Sequence, residues 1–158
     1  MLGDGFDVGN MTPVRLPHTV KETPLHYFDE SVYQMVSGYR RDVFIPEEWR
    51  GKRLLLTIDG AAHGSEVYWN GKKIGEHHCG YTAFTMDVSD DAIYGIRNTL
   101  VVKVDSRESV NIPPFGFVID YMTYGGLYRE VWLDIKEKTY LKDVFVRGDL
   151  SGDTGRLI

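Results

Sequence analysis

Hydrophobic and polar positions alternate over short stretches of this chain, and no stretch sustains the three-to-four-residue spacing of a long amphipathic helix. Residues 38–45 (GYRRDVFI) place Tyr39, Arg41, Val43 and Ile45 on one face of a strand and Arg40, Asp42 and Phe44 on the other. Pro46 has no backbone donor, so the strand should stop there, and residues 46–50 (PEEWR) suit a single helical turn with Trp49 as its anchor. Residues 53–58 (RLLLTI) read as a second strand, closed by Asp59 and Gly60. Residues 65–69 (SEVYW) and 72–77 (KKIGEH) flank Asn70 and Gly71, a pair that supplies the left-handed backbone of a tight hairpin turn. Glu66 marks the solvent face of the first of these strands, so Trp69 should be more buried than Tyr68.

Residues 82–88 (TAFTMDV), 99–104 (TLVVKV) and 130–135 (EVWLDI) read as further strands, and this rhythm of short strands suits an all-β sandwich of the jelly-roll kind. Between Asp105 and Tyr124 no convincing strand appears, and Pro113, Pro114 and Gly116 fall in the gap. Connections longer than about 12–15 residues are uncommon in compact domains and, when ordered, usually carry function. Residues 140–147 (YLKDVFVR) look like one more strand, followed by a turn at Ser151 and Gly152 and a segment that is cut off. The expected division is a sandwich with an irregular leader over residues 1–138 and the start of a second module over residues 139–158.

Composition narrows the function. The chain has 158 residues, enough for one well-packed domain and too few for a sandwich plus a barrel. Its net charge is −5, and its 18 basic residues form no run, which argues against nucleic acid and against an anionic membrane surface. One cysteine, Cys79, excludes an intrachain disulfide framework. No stretch approaches the roughly 20 apolar residues of a membrane span. Residues 1–10 lack the basic start and apolar run of a signal peptide, which points to a cytoplasmic protein.

Three motifs in order, residues 38–60 (GYRRDVFIPEEWRGKRLLLTIDG), 66–90 (EVYWNGKKIGEHHCGYTAFTMDVSD) and 124–133 (YGGLYREVWL), resemble the N-terminal domain of family 2 glycoside hydrolases. Residues 14–20 (VRLPHTV) look like that family's Leu-Pro-His entry motif, with Thr19 and Val20 in place of its usual Asp-Trp ending. Cys79 stands where a second glycine is common, and Trp69 where a smaller apolar residue is usual. Residues 111–131 are similar to a β-galactosidase-type subset in which an aspartate, here Asp120, precedes the aromatic-Gly-Gly turn.

The resemblance implies a galactose-binding-domain-like jelly roll, followed in the full protein by an immunoglobulin-like domain and a (β/α)₈ barrel with two catalytic glutamates. Neither glutamate motif occurs here, so no residue of this chain is expected to be catalytic. Asp120 matches the family aspartate that reaches the sugar and a nearby sodium ion, making it the candidate for both substrate and metal binding. No cofactor is expected in this chain itself, with sodium or magnesium reserved for the full-length parent. Its partners would be a β-galactoside or related carbohydrate, the downstream domains, and further copies of the chain in a homo-oligomer.

Other residues carry structural readings beside functional ones. Glu47 and Glu48 are adjacent carboxylates, but a retaining glycosidase needs its pair about 5–5.5 Å apart across a sugar, and neighbours on a turn are ordinarily solvated. His77, His78 and Cys79 are metal-type ligands, yet successive strand positions point to opposite faces and cannot close a tetrahedral site. Arg129 is expected to be buried and paired with a carboxylate, Asp59 being one candidate. Tyr39, Tyr68, Tyr81, Tyr121 and Tyr124 offer flat rings for sugar stacking, with packing inside a sandwich as the alternative. Two further readings stand beside the hydrolase domain: a free-standing carbohydrate-binding module, which needs an exposed aromatic row, and a purely structural domain.

Overall fold

A computed structural model of the chain describes residues 10–22, 26, 29–112 and 123–157. Its strands are β1 (Val36–Ile45), β2 (Arg53–Ile58), β3 (Gly64–Trp69), β4 (Lys72–His77), β5 (Phe84–Asp87), β6 (Ile96–Asp105), β7 (Val131–Lys136), β8 (Gly148–Ser151) and β9 (Thr154–Leu157). A four-stranded sheet in the order β1-β6-β3-β4 faces a three-stranded sheet in the order β5-β2-β7, and all neighbours are antiparallel. The chain crosses between sheets after β1, β2, β4, β5 and β6, giving the jelly-roll sandwich that the spacing of short strands predicts.

Alternation along the strands supplies the core. Leu54, Leu56 and Ile58 from β2 meet Val67 and Trp69 from β3 and Leu100, Val102 and Val104 from β6, all buried in one cluster. Trp69 is 1% exposed while Tyr68 is only half-buried, so the strand register follows from Glu66 as expected. Among the described residues the Trp69 indole N–H has no hydrogen-bond partner, so the ring acts as a volume filler rather than a polar anchor. The turn after β1 forms at Glu47–Trp49 behind Pro46, and Trp49 packs on the core cluster. Asn70 (φ 50°) and Gly71 (φ 83°) make the hairpin turn between β3 and β4.

Residues 140–147 do not form the strand that their alternation predicts. The pairing lies further on, where β8 joins β9 across a turn containing Gly152 (φ 60°). A strand pattern needs a neighbour to satisfy its backbone, and among the described residues none lies beside this stretch. Leu141 and Phe145 are accordingly 85% and 89% exposed.

One buried polar residue organises the opposite end of the sandwich from the long connection. Asn98 is 0% exposed, donates to the Ile93 and Ile96 carbonyls, and accepts from Ile93 N–H and the Asn70 amide. Asn70 in turn accepts from Thr99 N–H at 2.9 Å. The Asn98 amide thus ties the β5–β6 connection to the hairpin turn. Asn98→Ala leaves several of these groups buried without partners and is expected to cost about 2–4 kcal/mol. Urea unfolding with an unchanged slope measures it.

Candidate functional site

Every connection at one end of the sandwich converges on the flanks of residues 113–122. The β2–β3 turn, the β4–β5 turn, the segment leading into β1 and the long β6–β7 connection all lie at that end. Hydrogen bonds lock them together. Ala62 and Gly126 exchange backbone bonds of 3.0 and 3.4 Å, while the Ser106 hydroxyl donates to Ala62 O at 2.7 Å and accepts from Gly126 N–H at 3.2 Å. Ser106 N–H reaches Met35 O at 2.9 Å, and Glu108 N–H reaches the Gln34 side chain at 2.6 Å.

Close backbone approach explains the two glycines. A Cβ on Gly125 would lie 2.7 Å from Ser106 Oγ and 2.8 Å from Val20 Cγ2, and one on Gly126 would lie 2.2 Å from the Tyr39 hydroxyl. Gly126 also has φ of +96°, a conformation that other residues adopt only with strain. Residues 16–20 form a strap across this turn: His18 N–H donates to Leu127 O at 2.8 Å, and Val20 N–H to Gly125 O at 3.1 Å. The His18 ring lies 2.9 Å from the Tyr39 hydroxyl through Nδ1 and meets the Tyr39 ring edge-on. Burial raises the Tyr39 phenol above its ordinary pKa.

The neighbouring loop, residues 78–83, is stapled from below. Tyr128 donates its hydroxyl to Gly80 O, and Arg129 donates to Tyr81 O at 2.9 Å and, more weakly, to Asp59 O at 3.5 Å. Arg129 is exposed and bonds backbone carbonyls, so the expectation of a buried arginine paired with the Asp59 carboxylate is corrected. At the surface a guanidinium needs no counter-charge to offset desolvation, and its fork suits converging carbonyls. It also lies 5.3 Å from the Tyr128 ring centre.

β4 ends at His77, so the expectation of three successive strand positions is corrected: His78 and Cys79 lie in the connection beyond it, and the three side chains take different partners. His77 stacks on Phe84 with ring centres 4.4 Å apart and bonds Thr82 Oγ1 at 2.7 Å, whereas His78 faces Glu76 at 3.5 Å. Burial, and secondarily the His78 charge, hold His77 below the usual imidazole range. The Thr82 hydroxyl and the backbone amides of Tyr81 and Thr82 lower the pKa of Cys79, which is half-buried rather than buried. Glu47 is exposed and paired with Arg50 three positions on, on the surface turn. No three His, Cys, Asp or Glu side chains among the described residues are grouped to hold a metal ion.

The described tyrosines of this set do not form one platform. Tyr39 lies half-buried under the strap, and Tyr68 donates to Glu66 on the outer face of the four-stranded sheet. Tyr81 and Tyr124 are 37% and 41% exposed at the convergent end, each in an edge-on contact, with Tyr128 and Tyr33 respectively. Asp120 and Tyr121 lie outside the described residues. Ser106, which bonds both Ala62 and Gly126, carries no sequence signal beyond being small. A Cβ on Gly60 would sit 2.9 Å from Arg129 Cδ.

A family model described as the sugar binding domain of glycosyl hydrolases family 2 matches residues 4–137. The chain belongs to this family. Within the family 2 domain, the entry motif at residues 14–20 and the YGGLYR motif, far apart in sequence, prove to be the two sides of the strap contact. The chain is 44% identical over 141 residues to a β-galactosidase of Thermoanaerobacter pseudethanolicus, covering 89% of this chain and 19% of that protein. It is 36% identical over 131 residues to a β-glucuronidase of Bacteroides fragilis, covering 83% of this chain and 19% of that protein. A putative β-galactosidase structure from Bacteroides fragilis superimposes with a TM-score of 0.77 at 29% identity, covering 91% of this chain and 22% of that one. The family 2 domain therefore spans about a fifth of the length of the curated relatives it matches.

Proposed function

We propose that this chain is the non-catalytic N-terminal domain of a β-galactosidase-like retaining glycoside hydrolase, where it shapes the entrance to the sugar site and packs against downstream domains. The observation that carries this is the match to a β-galactosidase over 89% of the chain but only 19% of the relative. Relatives with both β-galactosidase and β-glucuronidase names match, and the aspartate-containing segment at residues 111–131 is what favours the galactoside. The anchored end of the sandwich supports a scaffolding role, because Ile112 and Thr123, which border residues 113–122, are half-buried and 1% exposed respectively. Asp120 contributes a sugar contact.

In the same reading, residues 139–158 begin an immunoglobulin-like module. The exposed Leu141, Val144, Phe145 and Leu150 supply apolar surface for it to bury. The chain by itself is expected to release no nitrophenol from nitrophenyl β-galactoside, and the full-length parent to release it readily. Turnover by the 158-residue chain that survives removal of host enzymes would overturn the assignment.

A further inference from the structure

The outer face of the three-stranded sheet holds one large exposed aromatic in an otherwise polar surface. By register, Thr85, Thr57 and Trp132 form one row across β5, β2 and β7, and Asp87, Leu55 and Asp134 form the next. Trp132 is 41% exposed on this face with Leu55 half-buried nearby, whereas Leu54, Leu56 and Leu133 pack on the inner face. The polar groups of this face are not equally available. Thr57 and Thr85 spend their hydroxyls on each other at 2.8 Å, and Arg53 binds Asp87 at 2.8 Å. Among the described residues, Asp134 makes one long ion pair, to Lys136 at 3.9 Å, with both side chains about half exposed.

We infer that Trp132 and Asp134 form a carbohydrate-binding platform, with a pyranose ring stacked on the indole and its hydroxyls donating to the carboxylate. The two side chains lie on one face of one strand, one pleat or about 6–7 Å apart, a span that a sugar ring with its hydroxyls fills. An indole offers a flat apolar face to sugar C–H groups, and an ionised carboxylate makes charge-assisted bonds to hydroxyls. Other occupants fit less well. The face carries Arg53 and Lys136 against Asp87 and Asp134, so it attracts neither polyanions nor anionic membrane. Its exposed apolar part is one indole beside a half-buried Leu55, not the contiguous apolar centre of a protein interface. The inference shares only its ligand class with the proposed role of Asp120.

The test uses the full chain labelled with 5-fluorotryptophan and a thio-linked β-galactoside, which resists hydrolysis, as the probe. The Trp132 fluorine signal, identified by its loss in Trp132→Phe, is expected to shift saturably with a Kd on the order of 1–10 mM. By calorimetry, Asp134→Asn should weaken this binding several-fold and Trp132→Ala by about tenfold or more. A Trp132 signal that stays still to about 100 mM probe, or a shift insensitive to Asp134→Asn, overturns the platform. If Trp132→Ala fails to fold, Asp134→Asn decides alone. A Trp132→Ala effect on sedimentation with none on probe binding makes the face a protein contact and also overturns it. In Asp120→Ala, the Trp132 shift should persist. A still Trp132 with impaired Asp120→Ala kinetics sinks the platform alone, and a moving Trp132 with normal Asp120→Ala kinetics sinks only the Asp120 reading.

Discussion

Gly126→Ala is expected to destabilise the protein by about 3–5 kcal/mol, the largest effect of any single methyl group at the convergent end. Two costs combine. The backbone at φ +96° strains an L-residue by about 1–2 kcal/mol, and the new Cβ falls 2.2 Å from the Tyr39 hydroxyl and 3.1 Å from Val20 Cγ1. Tyr39 must then withdraw, which removes its contact with His18 and loosens the strap. The measurement is urea unfolding of Gly126→Ala, Tyr39→Phe and the double variant. Removing the hydroxyl first should return part of the loss, a coupling of about 1 kcal/mol or more in the double-mutant cycle. Additive single effects would mean that the alanine does not press on Tyr39.

Asp120→Ala in the full-length parent is expected to lower kcat/KM for a β-galactoside by about 10- to 150-fold while leaving the melting temperature unchanged. A carboxylate accepting from sugar hydroxyls contributes roughly 1.5–3 kcal/mol, and that range sets the expected loss. The structural alternative is an aspartate that caps its own loop, since Asp is a common turn residue. Kinetics and thermal stability together separate the two. A kinetic loss without a stability loss supports the sugar contact, and unchanged kinetics, or a loss that tracks unfolding, assigns Asp120 to the loop. The borders are well suited to the experiment, because Ile112 N–H is held by Ser109 O and Thr123 is 1% exposed, so the substitution leaves both anchor points intact.

Features encoded over a few residues were legible in the sequence, and features made by convergence were not. Asn70 and Gly71 announce their turn because the pair carries its own backbone preference, and Glu66 beside Val67 and Trp69 announces which face is inside. Asn98 lies just before the strand the pattern predicts at residues 99–104 and carries no signal of its own. Its importance comes from Ile93 and Asn70, which only the folded connections bring to it. Arg129 was matched to a carboxylate because side-chain charges are visible in a sequence, whereas the carbonyls of Tyr81 and Asp59 converge only in the fold. Residues 140–147 show the reverse error, in which a good alternation predicts a strand but no neighbouring backbone completes it. Trp132 sits in a strand pattern that does not mark its face, and the register across β2 places it outward.

The strap at residues 16–20 has a consequence for the order in which the protein is made. Its hydrogen-bond acceptors are Gly125 and Leu127, more than a hundred positions later, and β1 likewise waits for β6. Contacts of such long sequence separation form slowly, because the intervening chain must first be confined. During synthesis at roughly 5–20 residues per second, the interval between the emergence of the strap and of its acceptors is about 5–20 s. For that period Val20 and the apolar face of β1 have no sandwich to join and stay open to solvent, so the strap closes only after the rest of the sandwich has emerged.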